Sequence, residues 1–382
     1  MQSFFAALRR GLALCCLGPV FFSALALAQG LTPATRGVPL PGPGPKAYVA
    51  IVIDDLPNLE LWSRLATDCD SHGMKATLAL NTLKATPEEY AILAGHIAKG
   101  HEVANHTRDH VAVAPGPVIR LRFFHPSAKS AYAAVDAAAG KLRLVVDDAA
   151  KPLAEFDLSE AGRTPTIKQL VDALNDTRGV TAELGDPYYG NIQSRFLAGK
   201  DKVDIFFKNG LVPLFVDTAQ SARYEMAGAL DDMKTGLPRY AVTSMVYPFL
   251  VSDPVSRGIA SELGMGCGRV GTAGFAALGA PGGYDLYQIY AGKPRDLFGT
   301  DTASPEFRAK VEAFLKKIKE IGGVLSLYSH GPDEFTNEQW QALLPMLAKD
   351  KDVAYVTLRD LAATVKKLAT PRDGRYYLPQ AK

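Results

Sequence analysis

The sequence predicts an α/β fold built on a parallel sheet and interrupted by a separate α+β segment. Three observations carry this. Ala47 to Ile53 is a continuous apolar run bounded by Pro45 and by Asp54-Asp55, the pattern of a strand covered on both faces. Strand-like and helix-like stretches then alternate, which implies parallel strands joined by crossover helices. From about Pro115 to Thr218 the alternation stops, and short β-like runs among many turn residues replace it.

The chain opens with Arg9 and Arg10, an apolar stretch from Gly11 to Leu27, and Ala26-Leu27-Ala28 before Gln29. This is the three-part layout of a secretory signal over residues 1–28, with cleavage after Ala28. The competing reading is a retained membrane anchor, since the run is nearly long enough to span a hydrocarbon core of about 30 Å. Leu14 before Cys15 argues against a lipoprotein. The mature chain is thus expected in the periplasm or outside the cell, with no stable transmembrane span. Residues 29–46, rich in Pro and Gly, read as a stiff extended linker.

After the first strand the spacing predicts a helix over Leu59 to Cys69 and a strand over Lys75 to Leu80. The next helix is signalled by Thr86 as cap, Pro87 in the first turn, Glu89 completing a capping box, and Gly100 as terminator. Residues 115–218 form the predicted α+β insertion, with β-like runs at Val118 to Phe124, Lys141 to Val146 and Leu153 to Leu158 and a helix over Thr166 to Asn175. Alternation then resumes with a helix near Arg223 to Lys234 and a strand at Ala241 to Val246. The helix Pro305 to Ile321 is capped by Ser304, ended by Gly322-Gly323, and carries Phe307, Val311, Phe314, Leu315 and Ile318 on one face. Strands at Val324 to Tyr328 and Val353 to Thr357 complete the main body, residues 47–114 with 219–370, before a tail at 371–382.

Composition narrows the function classes. With 382 residues, 47% hydrophobic and 21% charged, the chain is an ordinary globular protein and not a disordered one. Arg9 and Arg10 account for the formal charge of +2, so the remainder is balanced and lacks the basic surplus of a nucleic-acid binder. Of the 4 cysteines, Cys15 and Cys16 leave with the signal. Cys69 and Cys267 are too few for a disulfide-built scaffold. They either form one bridge or stay as thiols, and Cys69 continues the helical stripe of Leu59, Trp62, Leu65 and Ala66.

Of four sites able to do chemistry, three sit just past a predicted strand, where α/β sheets and barrels place catalytic loops. Asp54-Asp55 ends the first strand, and its two carboxylates can face in different directions. His106 and His110 are spaced to bring both rings to one side of a turn. With an acidic strand end they suggest a two-His, one-carboxylate site that keeps positions open for water, as a catalytic metal requires. His101-Glu102 fails the H-E-x-x-H spacing, because the next histidine is His106. His330, before Gly331-Pro332, can hand a proton to a leaving group near neutral pH. His72, His96 and His125 read as structural or solvent-facing.

Ile51-Val52-Ile53-Asp54-Asp55, Gly100-His101-Glu102-Val103-Ala104-Asn105-His106-Thr107-Arg108-Asp109-His110, Tyr247-Pro248-Phe249 and Leu325-Ser326-Leu327-Tyr328-Ser329-His330 occur in that order. Together they resemble the successive motifs of the polysaccharide deacetylase (NodB-homology) family, over about Ala47 to Val113 and Ala219 to Leu368. The resemblance implies a distorted seven-stranded (β/α) barrel with an inserted α+β domain. It also implies Zn2+, or another divalent metal such as Co2+ or Ni2+, held by Asp55, His106 and His110. Asp54 would be the base and His330 the acid. Tyr247, Pro248 and Phe249 would contact substrate and supply an oxyanion N–H, and Leu327 would line the acetyl-methyl pocket.

Two departures stand out. Val246 occupies the place where many members carry a base-orienting arginine, and Asp285 is the candidate for a missing acidic motif. The implied activity is hydrolysis of N-acetyl groups on an amino-sugar glycan, the partner being an acetylated polysaccharide or oligosaccharide. The alternatives are an O-acetyl polysaccharide esterase and a glycan-binding protein with a degenerate barrel. Aromatic residues of the insertion, Phe123, Phe124, Tyr132, Tyr188 and Tyr189, are either sugar-stacking or packed side chains.

Overall fold

The computed structural model describes residues 40, 44–55, 59–148, 150–206, 210–271, 276–331 and 333–379. The expected signal segment and most of the linker lie outside them. Strands β1 (Ala47–Asp54), β2 (Ala76–Leu80) and β3 (Glu102–Asn105) alternate with helices Leu59–Ser71 and Pro87–Ala98. Next come β4 (Ile119–Phe123), β5 (Ala131–Asp136), β6 (Lys141–Val146), β7 (Ala154–Asp157), helix Ile167–Asn175, β8 (Val180–Leu184), β9 (Lys200–Asp204) and β10 (Val212–Leu214). Helix Thr218–Gly236 leads to β11 (Ser244–Val246), helix Pro254–Glu262, β12 (Cys267–Arg269), β13 (Ala276–Ala277) and β14 (Ala291–Gly292). Helices Pro294–Phe298 and Pro305–Glu320 precede β15 (Gly323–Ser329), helix Asn337–Ala348, β16 (Val353–Val356), helix Leu358–Leu368 and the hairpin β17 (Thr370–Arg372) with β18 (Arg375–Tyr377).

The main sheet runs β12-β11-β3-β2-β1-β15, with parallel pairing at every step, and β14 pairs parallel with the far side of β15. A parallel bridge between Arg269 and Ile289 ties β12 to the segment entering β14 and closes the ring. The result is a distorted seven-stranded (β/α) barrel. Its last strand is not the expected run near Val353. That run, β16, pairs with the first half of β1 and leaves the ring, while the two-residue β14 fills the gap. Two residues are too few to carry a periodic signal, so the sequence could not announce β14.

Every residue of β1 is buried, as the unbroken apolar run requires. The alternation of side chains sorts them into two layers. Val49, Ile51 and Ile53 join Trp62, Leu65, Phe314 and Leu343 between strands and helices, whereas Ala50 and Val52 join Ala79, Ala104, Val246 and Tyr328 inside the ring. Each fully buried Val or Ile contributes roughly 1.5–3 kcal/mol. Thr86 forms its capping box with Glu89, and Ser304 accepts from the Phe307 N–H. Each cap is worth about 1 kcal/mol.

Cys69 lies in the outer layer and Cys267 in the inner one, so both are buried free thiols and no bridge joins them. Cys267 donates to the Ser244 hydroxyl at 3.3 Å.

Between β3 and helix Thr218–Gly236, the chain forms a three-stranded sheet (β10-β4-β8) and a four-stranded one (β7-β6-β5-β9). These share an apolar cluster of their own with Leu170, Leu174 and Phe196. No helix among the described residues is long and apolar enough to cross a membrane.

Candidate metal centre

Strand ends bring the site together. Asp54 is the last residue of β1 and Asp55 follows it, while His106 follows β3 and His110 closes the next turn. The Nε2 atoms of His106 and His110 stand 3.2 and 3.1 Å from Asp55 Oδ1. Ligating atoms of all three residues lie within 4.8 Å of one another, the one such group among the described residues.

The backbone here is unusual. Of nine non-glycine residues with positive φ among the described residues, Asp55, Thr107, His110, Phe249 and Leu250 cluster at this end of the barrel. Such conformations cost about 1–3 kcal/mol each and persist only where surroundings fix them. The loop is fixed by His106 N–H to the Leu80 carbonyl (3.0 Å), Thr107 N–H to Asn105 Oδ1 (2.8 Å) and Asp109 N–H to Glu225 Oε2 (2.9 Å).

The donor set suits a cation. His106 Nδ1 donates to the Val246 carbonyl at 2.6 Å, which turns Nε2 toward Asp55. His106 Nε2 and Asp55 Oδ1 are buried and have no hydrogen-bond partner. Burial, with the neighbouring His106 charge, pushes His110 down to about 4, so its ring is neutral at physiological pH. Burial raises Asp55, but the imidazoles of His106, His110 and His330 outweigh it and bring its carboxyl down to about 2. Two imidazole nitrogens and a carboxylate oxygen converging on one point match the ligand chemistry of Zn2+ or a similar divalent ion.

Two charged residues that the sequence reading passed over complete the surroundings. Arg269 Nη2 donates to Asp54 Oδ2, and neither side chain is more than 2% exposed. Arg269 lies beside Val246 in the β11–β12 register, so the arginine expected at position 246 arrives from the neighbouring strand. Its signal was a lone basic residue in the short run Cys267-Gly268-Arg269-Val270. Glu334 accepts from the Nδ1 and backbone N–H of His330 at 2.9 and 3.1 Å, and Lys293 pairs with its other oxygen. Burial opposes the His330 charge, but Glu334 and Asp54 raise its pKa above the ordinary value. Burial likewise opposes the Glu334 charge, yet His330 and Lys293 hold that carboxyl at about 2. His330 Nε2 stands 3.8 Å from Asp54 Oδ2, across from the Glu334 side of its ring.

Other expected positions fall elsewhere. Leu327 is fully buried in the helix-facing layer with Ile51 and Ile53, because strand alternation turns it away from the ring interior. Tyr328, one residue on, faces inward and lies under the Arg269 guanidinium at 4.8 Å. Tyr247 is buried beside Met245 and Ile259, and Pro248 is buried too. A Cβ at Gly268 would come within 2.5 Å of the Tyr247 ring, so only glycine admits it. The Tyr247 N–H is committed to the Arg269 carbonyl at 3.1 Å, which removes it as an oxyanion donor. Of that triplet only Phe249 reaches the centre, its ring meeting His110 at 4.7 Å. Asp285 accepts from Tyr287 N–H and Gln288 Nε2 in a local turn, and the expected acidic partner is Glu334 instead. His101 and Glu102 serve the frame: His101 Nδ1 accepts from Ala76 N–H, and Glu102 from Thr77 and Arg359.

Comparison with known proteins adds the following. The chain is similar to a Mycobacterium smegmatis protein carrying a polysaccharide deacetylase designation (TM-score 0.46, 12% identity, 92% of this chain and 99% of that one). It is similar to the family 4 acetyl xylan esterase of Clostridium thermocellum, solved with a cobalt ion (TM-score 0.40, 13% identity, 84% and 92%). It is also similar to BA3943 of Bacillus anthracis, a CE4 family pseudoenzyme (TM-score 0.39, 10% identity, 83% and 66%). No protein-family model matches the sequence, and no curated protein does.

Proposed function

We propose that this chain is a metal-dependent deacetylase that hydrolyses N-acetyl groups of an amino-sugar glycan in the periplasm or outside the cell. One observation carries the reading: a two-His, one-carboxylate cluster adjoins a buried carboxylate held by arginine, which itself faces a histidine held by glutamate. Asp55, His106 and His110 would hold the divalent ion, zinc or else cobalt or nickel, which when bound acidifies a water and polarises the acetyl carbonyl.

Each remaining residue has a proton task. Arg269 occupies Asp54 Oδ2, and Asp54 Oδ1, buried and without a hydrogen-bond partner, is left to accept the proton of the attacking water. His330 donates from Nε2 to the departing nitrogen, while Glu334 stabilises the imidazolium from the other side. An amine leaves only once protonated, so a poised acid favours amide over ester substrates. A binding remnant of the barrel would have no use for this paired acid and base.

The test is acetate release by the purified chain with zinc. Substrates are N-acetylglucosamine oligomers in β-1,4 and β-1,6 linkage and an O-acetylated xylan, with His106→Ala alongside. Release from the amide substrates that vanishes in the variant is the expected result. Release confined to the xylan would move the assignment to an esterase, and none from any substrate with metal bound would remove it.

A further inference from the structure

One aromatic contact joins the 115–218 segment to the metal centre. Tyr188, in the short turn Pro187–Tyr189, stacks on Phe249 with ring centroids 4.5 Å apart and planes 29° from parallel. Phe249 in turn meets the ring of His110 edge-on at 4.7 Å and 64°. The path from the insertion to a candidate metal ligand is therefore two ring contacts long.

Packing alone does not account for the pair. Tyr188 is 60% exposed, the highest value among the exposed large hydrophobic side chains of the described residues. A ring left so open gains little from burial. Phe249 adopts φ 53° and Leu250 φ 64°, conformations that bulky residues avoid. Leu250 fits only because Gly271 lacks a Cβ, which would lie 2.2 Å from the Leu250 side chain. The Tyr188 side is equally fixed. Asp186 accepts from the Tyr188 N–H at 2.9 Å, and the Tyr189 hydroxyl accepts from Gly116 N–H at 3.0 Å. The backbone that carries each ring is thus held in place before any ligand arrives.

We infer that Tyr188 and Phe249 form a stacking platform for a pyranose ring linked to the sugar that reacts at the metal centre. A pyranose presents an apolar face of C–H groups with partial positive charge, which suits the negative face of an aromatic ring. Aromatic side chains are common in the walls of small-molecule sites, where a few placed polar groups fix orientation. The ligand is a glycan of at least two linked pyranoses, since Phe249 borders the centre at His110 while Tyr188 lies one further ring contact away, where a neighbouring sugar would stack. Residue 188 then gives the insertion a role in chain-length preference. This inference rests on the deacetylase reading for the identity of the neighbouring site, and its test separates the two.

The experiment compares wild type, Tyr188→Ala and Tyr188→Trp in the full chain with zinc. It measures kcat/KM on the β-1,4 N-acetylglucosamine pentamer relative to 4-nitrophenyl acetate, and pentamer binding by calorimetry. Tyr188→Ala is expected to lower that ratio about tenfold, chiefly through KM, with a matching loss of binding. Tyr188→Trp keeps both. A Tyr188→Ala chain that matches wild type in ratio and in binding overturns the platform, as does a wild type that binds no pentamer. Binding without acetate release, lost in Tyr188→Ala, would instead sink the deacetylase reading and leave the platform standing.

Discussion

Arg269 and Asp54, separated by 215 positions in the chain, meet inside the barrel with their side chains 0% and 2% exposed. Removing one partner of a buried pair leaves an uncompensated charge and costs about 3–5 kcal/mol. Arg269→Met is expected to lose that stability in thermal unfolding and to lower acetate release by about 10–100-fold, as loss of an orienting partner does. Because Val246 is the register neighbour of Arg269, the exchange Val246→Arg with Arg269→Val should recover part of the activity. A fully active Arg269→Met would show that Arg269 does not orient Asp54 for proton transfer.

Glu334 is expected to set the alkaline limit of the proposed reaction. Its contact raises His330, and the acid form is the one that would donate. In Glu334→Gln the charge is gone, His330 gives up its proton at lower pH, and the alkaline limb of kcat/KM moves down. An unchanged limb across the profile would show that another group supplies the proton.

Loss of the ion should be visible without turnover. A ligand that binds only the folded chain stabilises it by about 4 kcal/mol at a thousand times its Kd. Zinc added after chelation is expected to raise the unfolding temperature of wild type and to leave His106→Ala unmoved. With His110 down at about 4, acid begins to compete for that ligand only well below neutral pH.

Glu225 makes stability fall with pH. Burial raises its carboxyl to about 7 from an ordinary 4.5, so the folded chain holds a proton that the unfolded chain releases. Between those two values the folded state binds more protons, and stability declines by about 3 kcal/mol at most as pH rises through the window, then levels off. Glu225→Gln keeps an acceptor for Asp109 N–H and removes the slope. Its stability relative to wild type should be higher at pH 8 than at pH 4.5, measured by denaturant unfolding; equal differences at both would place the carboxyl in its ordinary range.

Much of the frame was legible locally. The β1 run, the Thr86 box and the Ser304 cap each declare themselves within a few residues, because burial on two faces and helix capping are short-range requirements. The helices Pro254–Glu262, Asn337–Ala348 and Leu358–Leu368 and the two-residue β14 were not anticipated, and β5 and β9 of the insertion were missed among its turn residues. Leu327 was misplaced by a single step, and in a strand one step is a change of face.

The sequence by itself determined the α/β alternation and the candidate ligands, since Asp55 lies at a strand end and His106 and His110 share one turn. Tertiary structure decided which charges surround them. Arg269 replaces an arginine at 246 through strand register, Glu334 replaces Asp285 at His330, and Tyr188 reaches Phe249 from another sheet system. Periodicity and capping are written in neighbouring residues, whereas a contact between β1 and β12, or between an inserted turn and a barrel loop, exists only once the ring has closed.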